Sequence, residues 1–129
     1  MIHGIGTDIV AIRRMDRIHV RYGERLADRL LAASERAEYA ESRQPERFLA
    51  KRFAAKEAFA KAAGTGLRAP LTLAALAVVH DALGRPGFAF SSELAAWLAE
   101  RGIVGAHLSF ADEVDTVVAF AVLETGPCR

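Results

Sequence analysis

Phe48-Leu49-Ala50-Lys51-Arg52-Phe53-Ala54-Ala55-Lys56-Glu57-Ala58-Phe59-Ala60-Lys61-Ala62-Ala63-Gly64 is the stretch on which the reading of this chain turns. Pro45 and Glu46 ahead of it and Gly64 behind it predict a helix from Pro45 to about Ala63, because proline suits a first helical turn and glycine an exit. At about 100° per residue, Glu57 and Lys61 share one face, and Phe48, Leu49, Phe53, Phe59 and Ala60 cover a wide arc on the other. Arg52 and Lys56 fall inside that apolar arc, where an amphipathic helix ordinarily holds no cations. Such residues must reach a rim by their aliphatic stems or meet an anion. On spacing alone, Glu57 and Lys61 read first as a common surface pair and the aromatic residues as core. The two misplaced cations move the reading toward a phosphate site.

Upstream, Ile2-His3-Gly4-Ile5-Gly6-Thr7-Asp8-Ile9-Val10 reads as a strand. Ile5 and Ile9 share one face, while Gly4, Gly6, Asp8 and Val10 share the other. Alternating glycines in a strand mark a place where something approaches the backbone closely, and Asp8 stands beside it. Taken alone, Asp8 reads first as the cap of the following helix. From Ala11 to Tyr22 the period becomes helical, with Ile12, Met15, Ile18 and Tyr22 as the apolar stripe and Gly23 as the stop. Leu26, Leu30 and Leu31 predict a short helical turn, and Ser34 with Glu35 the cap of a helix through Ala40.

Downstream, 76–80 and 87–90 read as strands flanking a loop with Gly84 and Pro86. Ser91 and Ser92 offer a cap for a helix through Glu100. Residues 106–110 and 116–123 form a β-hairpin. No internal repeat, low-complexity tract or linker interrupts the chain. The expected fold is one α+β domain over residues 1–129, with helices packed on a small antiparallel sheet that the N-terminal strand completes.

Composition bounds the rest. A chain of 129 residues buries roughly two-thirds of its unfolded surface and needs neither disulfide nor structural metal to fold. The single cysteine, Cys128, has no intrachain partner, which fits a reducing cytoplasm. Met1-Ile2-His3-Gly4 lacks the pattern of a signal peptide, and the apolar run Ala69–Val79 is too short for a membrane span. The formal net charge is only +1, but Arg13, Arg14, Arg17, Arg21, Arg25 and Arg29 crowd the first quarter. They point to an acidic partner: a protein face, a phosphate ligand or a nucleic acid.

Gly4-Ile5-Gly6-Thr7-Asp8-Ile9-Val10, followed by Arg52-Phe53-Ala54-Ala55-Lys56-Glu57-Ala58-Phe59-Ala60-Lys61-Ala62, resembles the two signature blocks of the bacterial holo-[acyl-carrier-protein] synthases of the 4'-phosphopantetheinyl transferase superfamily. Gly64-Thr65-Gly66, Gly84-Arg85-Pro86 and His107-Leu108-Ser109 extend the resemblance over essentially the whole chain. Many relatives carry a second histidine shortly after the His-x-Ser triplet, where this chain has Ala111-Asp112; no role for it carries over. The resemblance implies a phosphopantetheinyl transferase-like fold and transfer of the 4'-phosphopantetheine arm of coenzyme A to a serine of an acyl carrier protein, releasing adenosine 3',5'-bisphosphate. It places such an enzyme in the cytoplasm, in support of fatty acid biosynthesis.

The chemistry explains the residue types. Mg²⁺ prefers one or two carboxylates with phosphate oxygens and water, which suits Asp8 and Glu57 as its ligands. The serine proton goes to Glu57 or to a water on the metal. Lys61 serves the leaving phosphate. Arg52, Lys56, Gly64, Gly66 and His107 are implied contacts of coenzyme A, although an isolated strand histidine is ordinarily structural. Arg14, Arg17 and Arg21, on one side of the first helix, would dock the acidic helix of the carrier protein; a solvated basic face is the bland alternative. The family resemblance further implies a homotrimer with each coenzyme A site between neighbours.

Two other readings compete. A metal-dependent phosphohydrolase would use the same carboxylates with water as nucleophile, and would release adenosine bisphosphate from coenzyme A alone. A nucleic-acid-binding module would use the arginine helix. The near-neutral net charge and the lack of an aromatic-basic patch stand against it.

Overall fold

The computed structural model describes residues 1–127; Cys128, read above as an unpaired thiol, lies outside the described residues. Strand β1 (Ile2–Ala11) follows the expected alternation, with Gly6 and Val10 buried and Ile5 and Ile9 facing outward. It pairs antiparallel with β5 (Thr116–Thr125), whose other edge pairs antiparallel with β4 (Ile103–Asp112). The order β1-β5-β4 makes the last strand the middle of the sheet. The hairpin strands run longer than the sequence pattern indicated. In β4 the register shifts between Ile103 and Gly105, and that bulge interrupts the alternation from which the strand start was read.

Helix α4 (Pro45–Ala63) lies across the sheet face that carries Gly4, Gly6, Asp8 and Val10. Pro45 opens it, and Gly64, at φ 85°, closes it in the left-handed conformation. The close approach marked by the strand glycines is α4 itself. A Cβ on Gly4 would sit 2.0 Å from the Ala62 carbonyl oxygen, and one on Gly6 2.0 Å from that of Ala58. The helix meets the strand with alanines: Ala54, Ala55, Ala58 and Ala62 are all buried.

Between β1 and α4 run α1 (Ile12–Tyr22), α2 (Glu24–Leu30), a 3₁₀ turn (Ala33–Glu35) and α3 (Arg36–Glu41). In α1 the apolar stripe leaves the core as the helix proceeds: Ile12 and Met15 are buried, Ile18 half-buried and Tyr22 exposed. Asp8 does not cap α1, whose N-terminal position is taken by Ala11 with no side-chain cap. Ser34 is not a cap either. It lies within the 3₁₀ turn, and it is the Glu35 carboxylate that accepts from the Ala32 N–H at 2.8 Å.

The second half adds a separate two-stranded sheet of β2 (Leu76–His80) and β3 (Pro86–Phe90), and α5 (Ser92–Glu100). Phe88 and Phe90 bring their ring centroids to 4.9 and 5.6 Å from that of Phe59 on α4, locking the hairpin to the main helix. Ser91 Oγ accepts from the Leu94 N–H at 3.2 Å and caps α5 as expected. The fold is the α+β arrangement read from the sequence. Among the described residues, no helix is long and apolar enough to cross a membrane.

Gly6→Ala is expected to destabilise the chain by roughly 1–3 kcal/mol or more, because the new methyl meets helix backbone that cannot rotate aside. A Cβ on Gly87 meets only a Val79 methyl at 4.0 Å. Gly87→Ala should therefore stay within about 0.5 kcal/mol of the parent or exceed it. Urea unfolding midpoints of the two variants test the contrast.

Candidate active site

Asp8 projects from β1 toward α4, and two turns of that helix bring Glu57 and Lys61 up to it. Lys61 reaches across to the strand rather than back along its own helix. Its Nζ lies 3.1 Å from Asp8 Oδ1 and donates to the Thr7 carbonyl at 2.8 Å. The Asp8 side chain is largely covered and that of Lys61 about half exposed, so the ion pair sits at a rim where solvent still screens it. Among the described residues Glu57 has no cation in ion-pair contact. Burial and then the Asp8 charge push its carboxyl above the usual range, and Lys61 offsets this only in part.

The two carboxylates open onto a groove of about 380 Å³. Its walls are apolar, with Met15 and Ile18 of α1, Leu30 of α2, Phe53 of α4 and Leu73; Arg14 and Arg29 stand on its lining as the cations. Arg17 and Arg21, further along α1, are exposed. The helix expected to dock an acidic partner thus borders the groove that contains Asp8 and Glu57.

Arg52 and Lys56 require a correction. They meet an anion, as their position in the apolar arc demanded, but it belongs to the chain. Lys56 is fully buried and its Nζ donates to Glu35 Oε1 at 2.5 Å, and to the carbonyls of Leu30 at 2.8 Å and Leu73 at 2.9 Å. Arg52 Nε lies 3.1 Å from Glu35 Oε2, off the donating direction, so the contact is ionic; its Nη2 donates to Glu38 at 3.2 Å. Burial lowers the pKa of both cations, and the Glu35 charge works against that. Neither side chain faces the groove. Glu35 is the residue that sequence reasoning missed; the signal was the two cations in a buried arc, for which a buried carboxylate of the chain is one possible anion.

Gly64 and Gly66 give their N–H groups to the carbonyls of Ala60 and Lys61 and so close α4. His107 is on the other side of the sheet: it sits opposite Val122, which sits opposite Ile5 on the outward face. Its Nε2 lies 3.0 Å from Glu124 Oε2. It also borders a second cavity, of about 610 Å³, with Lys51, His80, Arg85 and Ser109. The structure gathers Asp8, Glu57, Lys61 and Arg14, and it separates His107 from them. Lys51 of α4 meets His80 and Arg85 of the β2–β3 hairpin, a grouping that no local spacing announces.

The sequence profile of the 4'-phosphopantetheinyl transferase superfamily matches residues 4–119, and the chain belongs to that family. Holo-[acyl-carrier-protein] synthase of Aromatoleum aromaticum is 62% identical over 124 residues, which span 96% of this chain and 98% of that one. Among solved structures, the holo-[acyl-carrier-protein] synthase of Neisseria meningitidis superposes with a TM-score of 0.94 at 48% identity, covering 97% of this chain and all of its counterpart. That of Bacillus anthracis, solved in complex with coenzyme A (3',5'-ADP), gives a TM-score of 0.80 at 30% identity over 98% of this chain and 99% of the other.

The Glu57 environment has a consequence for stability. A carboxyl whose pKa is raised on folding binds its proton more tightly in the folded state. Its contribution therefore favours folding at low pH and is lost as pH rises from the unfolded to the folded pKa. Above that window the metal-free protein carries the penalty. Glu57→Gln should raise its Tm there, by roughly 1–3 °C after allowing for solvent screening, and the gain should vanish in acid. Thermal melts of both proteins in a chelator across a pH series test the sign.

Proposed function

We propose that this chain transfers the 4'-phosphopantetheine group of coenzyme A to a serine of an apo acyl carrier protein, with Mg²⁺ held by Asp8 and Glu57. The observation that carries the reading is one meeting point: two carboxylates from different elements, a lysine beside them, and an apolar groove rimmed by α1 arginines. The donor set fits this ion. Among the described residues no group of three or more His, Cys, Asp or Glu side chains gathers around a metal-sized space. Two carboxylates alone suit a cation that completes its octahedron with phosphate oxygens and water. When bound, Mg²⁺ supplies neutralising charge to the pyrophosphate.

The chain's own groups do the rest. The serine oxygen bonds to the pantetheine-side phosphorus as the pyrophosphate P–O bond breaks, and adenosine 3',5'-bisphosphate departs. Glu57, or a water beside it, accepts the serine proton. Lys61 stabilises the leaving phosphate from one turn away. The groove is the acceptor side, where an apolar side chain next to the serine seats while Arg14, Arg17 and Arg21 meet the carrier's acidic helix. Gly64 and Gly66, their N–H groups engaged, offer close backbone approach rather than hydrogen bonds.

The donor side is completed by a second copy, in a homotrimer. Support comes from the sheet's outward face, where Ile5 and Ile9 are 59% and 69% exposed and Phe120 is 38% exposed. In this reading one chain's cavity of Lys51, Arg85 and His107, whose cations suit the phosphates of coenzyme A, serves the carboxylates of another chain. The enzyme in this reading works in the cytoplasm, in support of fatty acid biosynthesis.

Mass spectrometry of an apo carrier protein incubated with this protein, coenzyme A and Mg²⁺ tests the reaction: a gain equal to phosphopantetheine is expected. Release of adenosine bisphosphate without carrier would instead make the chain a hydrolase. Asp8→Ala should fold normally and lose at least ~10²-fold in kcat, as removal of a charge-stabilising group in phosphoryl transfer does. Arg14→Glu should raise the KM for the carrier about tenfold at low salt, with the KM for coenzyme A unchanged, and the gap to the parent should narrow as salt screens the exposed charge.

A further inference from the structure

Lys56 is next to Glu57 in sequence, yet it points the opposite way, into the protein. The three N–H groups of its ammonium have three acceptors, of which only one is charged. The other two are backbone carbonyls, and their owners are informative. Leu30 is the last residue of α2 and Leu73 precedes β2, and the side chains of both line the groove that holds Asp8 and Glu57. One side chain on α4 thus ties two groove walls, from segments far apart in sequence, to the helix that carries the catalytic carboxylate. Glu35 neutralises the tie. It is itself held by the N–H groups of Ala32 at 2.8 Å and Val78 at 3.1 Å, and it lines no part of the groove.

We propose that Lys56 is a positioning residue: by binding the Leu30 and Leu73 carbonyls it sets the width of the apolar groove and its distance from the Asp8–Glu57 pair. It thereby governs how a carrier-protein segment seats rather than how coenzyme A binds. The inference rests on the groove being the acceptor side, as read above.

Two variants isolate the tethers from the charge. Glu35→Gln removes the carboxylate but leaves both carbonyl bonds available, because an amine neutralised by burial still has two N–H groups for two acceptors. Glu35→Gln/Lys56→Met removes the tethers and the Lys56 charge together, and leaves Arg52 its contact with Glu38. Each is compared with the parent for thermal melting, for coenzyme A affinity by calorimetry in Mg²⁺, for apo carrier affinity by calorimetry without coenzyme A, and for KM and kcat. The double variant should weaken carrier affinity and raise carrier KM about tenfold, with coenzyme A affinity within about twofold of the parent; Glu35→Gln should match the parent in all of these.

A double variant with the parent's carrier affinity and KM overturns the proposal, as does one in which carrier and coenzyme A affinities fall together. If the double variant does not fold, Lys56→Gln in the Glu35→Gln background, which keeps one donor, replaces it, with a rise of about threefold expected. If neither folds, Lys56 is a folding residue and the positioning role falls. A parent protein that binds the carrier without transferring phosphopantetheine overturns the reaction proposed above but leaves this inference to the binding arm. A parent that does neither overturns both.

Discussion

The molecule is organised by the contact between a bare strand and a thin helix. Gly4 and Gly6 leave no side chain between the β1 backbone and the carbonyls of Ala58 and Ala62, so α4 lies against the strand at a separation that any Cβ would forbid. Close packing of this kind is intolerant of added volume, because the atoms met are backbone held in a helix. Its geometric product is the site. Asp8 is two residues beyond Gly6 on the same face, and Lys61 is one residue before Ala62. The spacing that seats the helix therefore also delivers the lysine to the aspartate.

Charge on α4 is divided between two sides of the helix. Arg52 and Lys56 turn inward to Glu35, where low polarity makes an unpaired charge expensive and the partner obligatory. Lys61 turns outward to Asp8, where water dilutes the attraction and the lysine remains free to exchange partners. Glu57, between these sides, has neither kind of satisfaction: it is partly buried, faces another carboxylate and, among the described residues, has no cation in ion-pair contact. A polar group held so is poised to bind a cation or a proton.

Much of this was legible in the sequence, for local reasons. Helix α4 was framed by Pro45 and Gly64, β1 by its alternation, and α5 by Ser91, all signals carried within a few residues. The faces that Asp8, Glu57 and Lys61 occupy followed from regular elements, and their grouping into one site from the family resemblance. What stayed hidden depended on long-range encounters. The anion that Arg52 and Lys56 meet could not be named, because Glu35 lies in an irregular turn whose orientation no periodicity fixes. The same holds for Asp8, whose proximity to helix α1 made a cap plausible until Ala11 proved to occupy that position. His107 was implied as a coenzyme A contact by resemblance, and only the strand register shows that it lies on the opposite side of the sheet from Asp8.

The strand order has a bearing on how the protein is made. Asp8, Glu57, Lys61 and the α1 arginines all lie in the first half of the chain, but β1 is an edge strand whose neighbour is β5, the last of the five strands. As the polypeptide leaves the ribosome, β1 emerges first and waits unpaired, its outward isoleucines and open N–H groups exposed, until the far end arrives. Such a high-contact-order topology closes slowly and as a unit. A nascent chain stalled before β5 would hold all of those side chains and none of their geometry, and it would present a sticky edge that invites chaperones or mispairing.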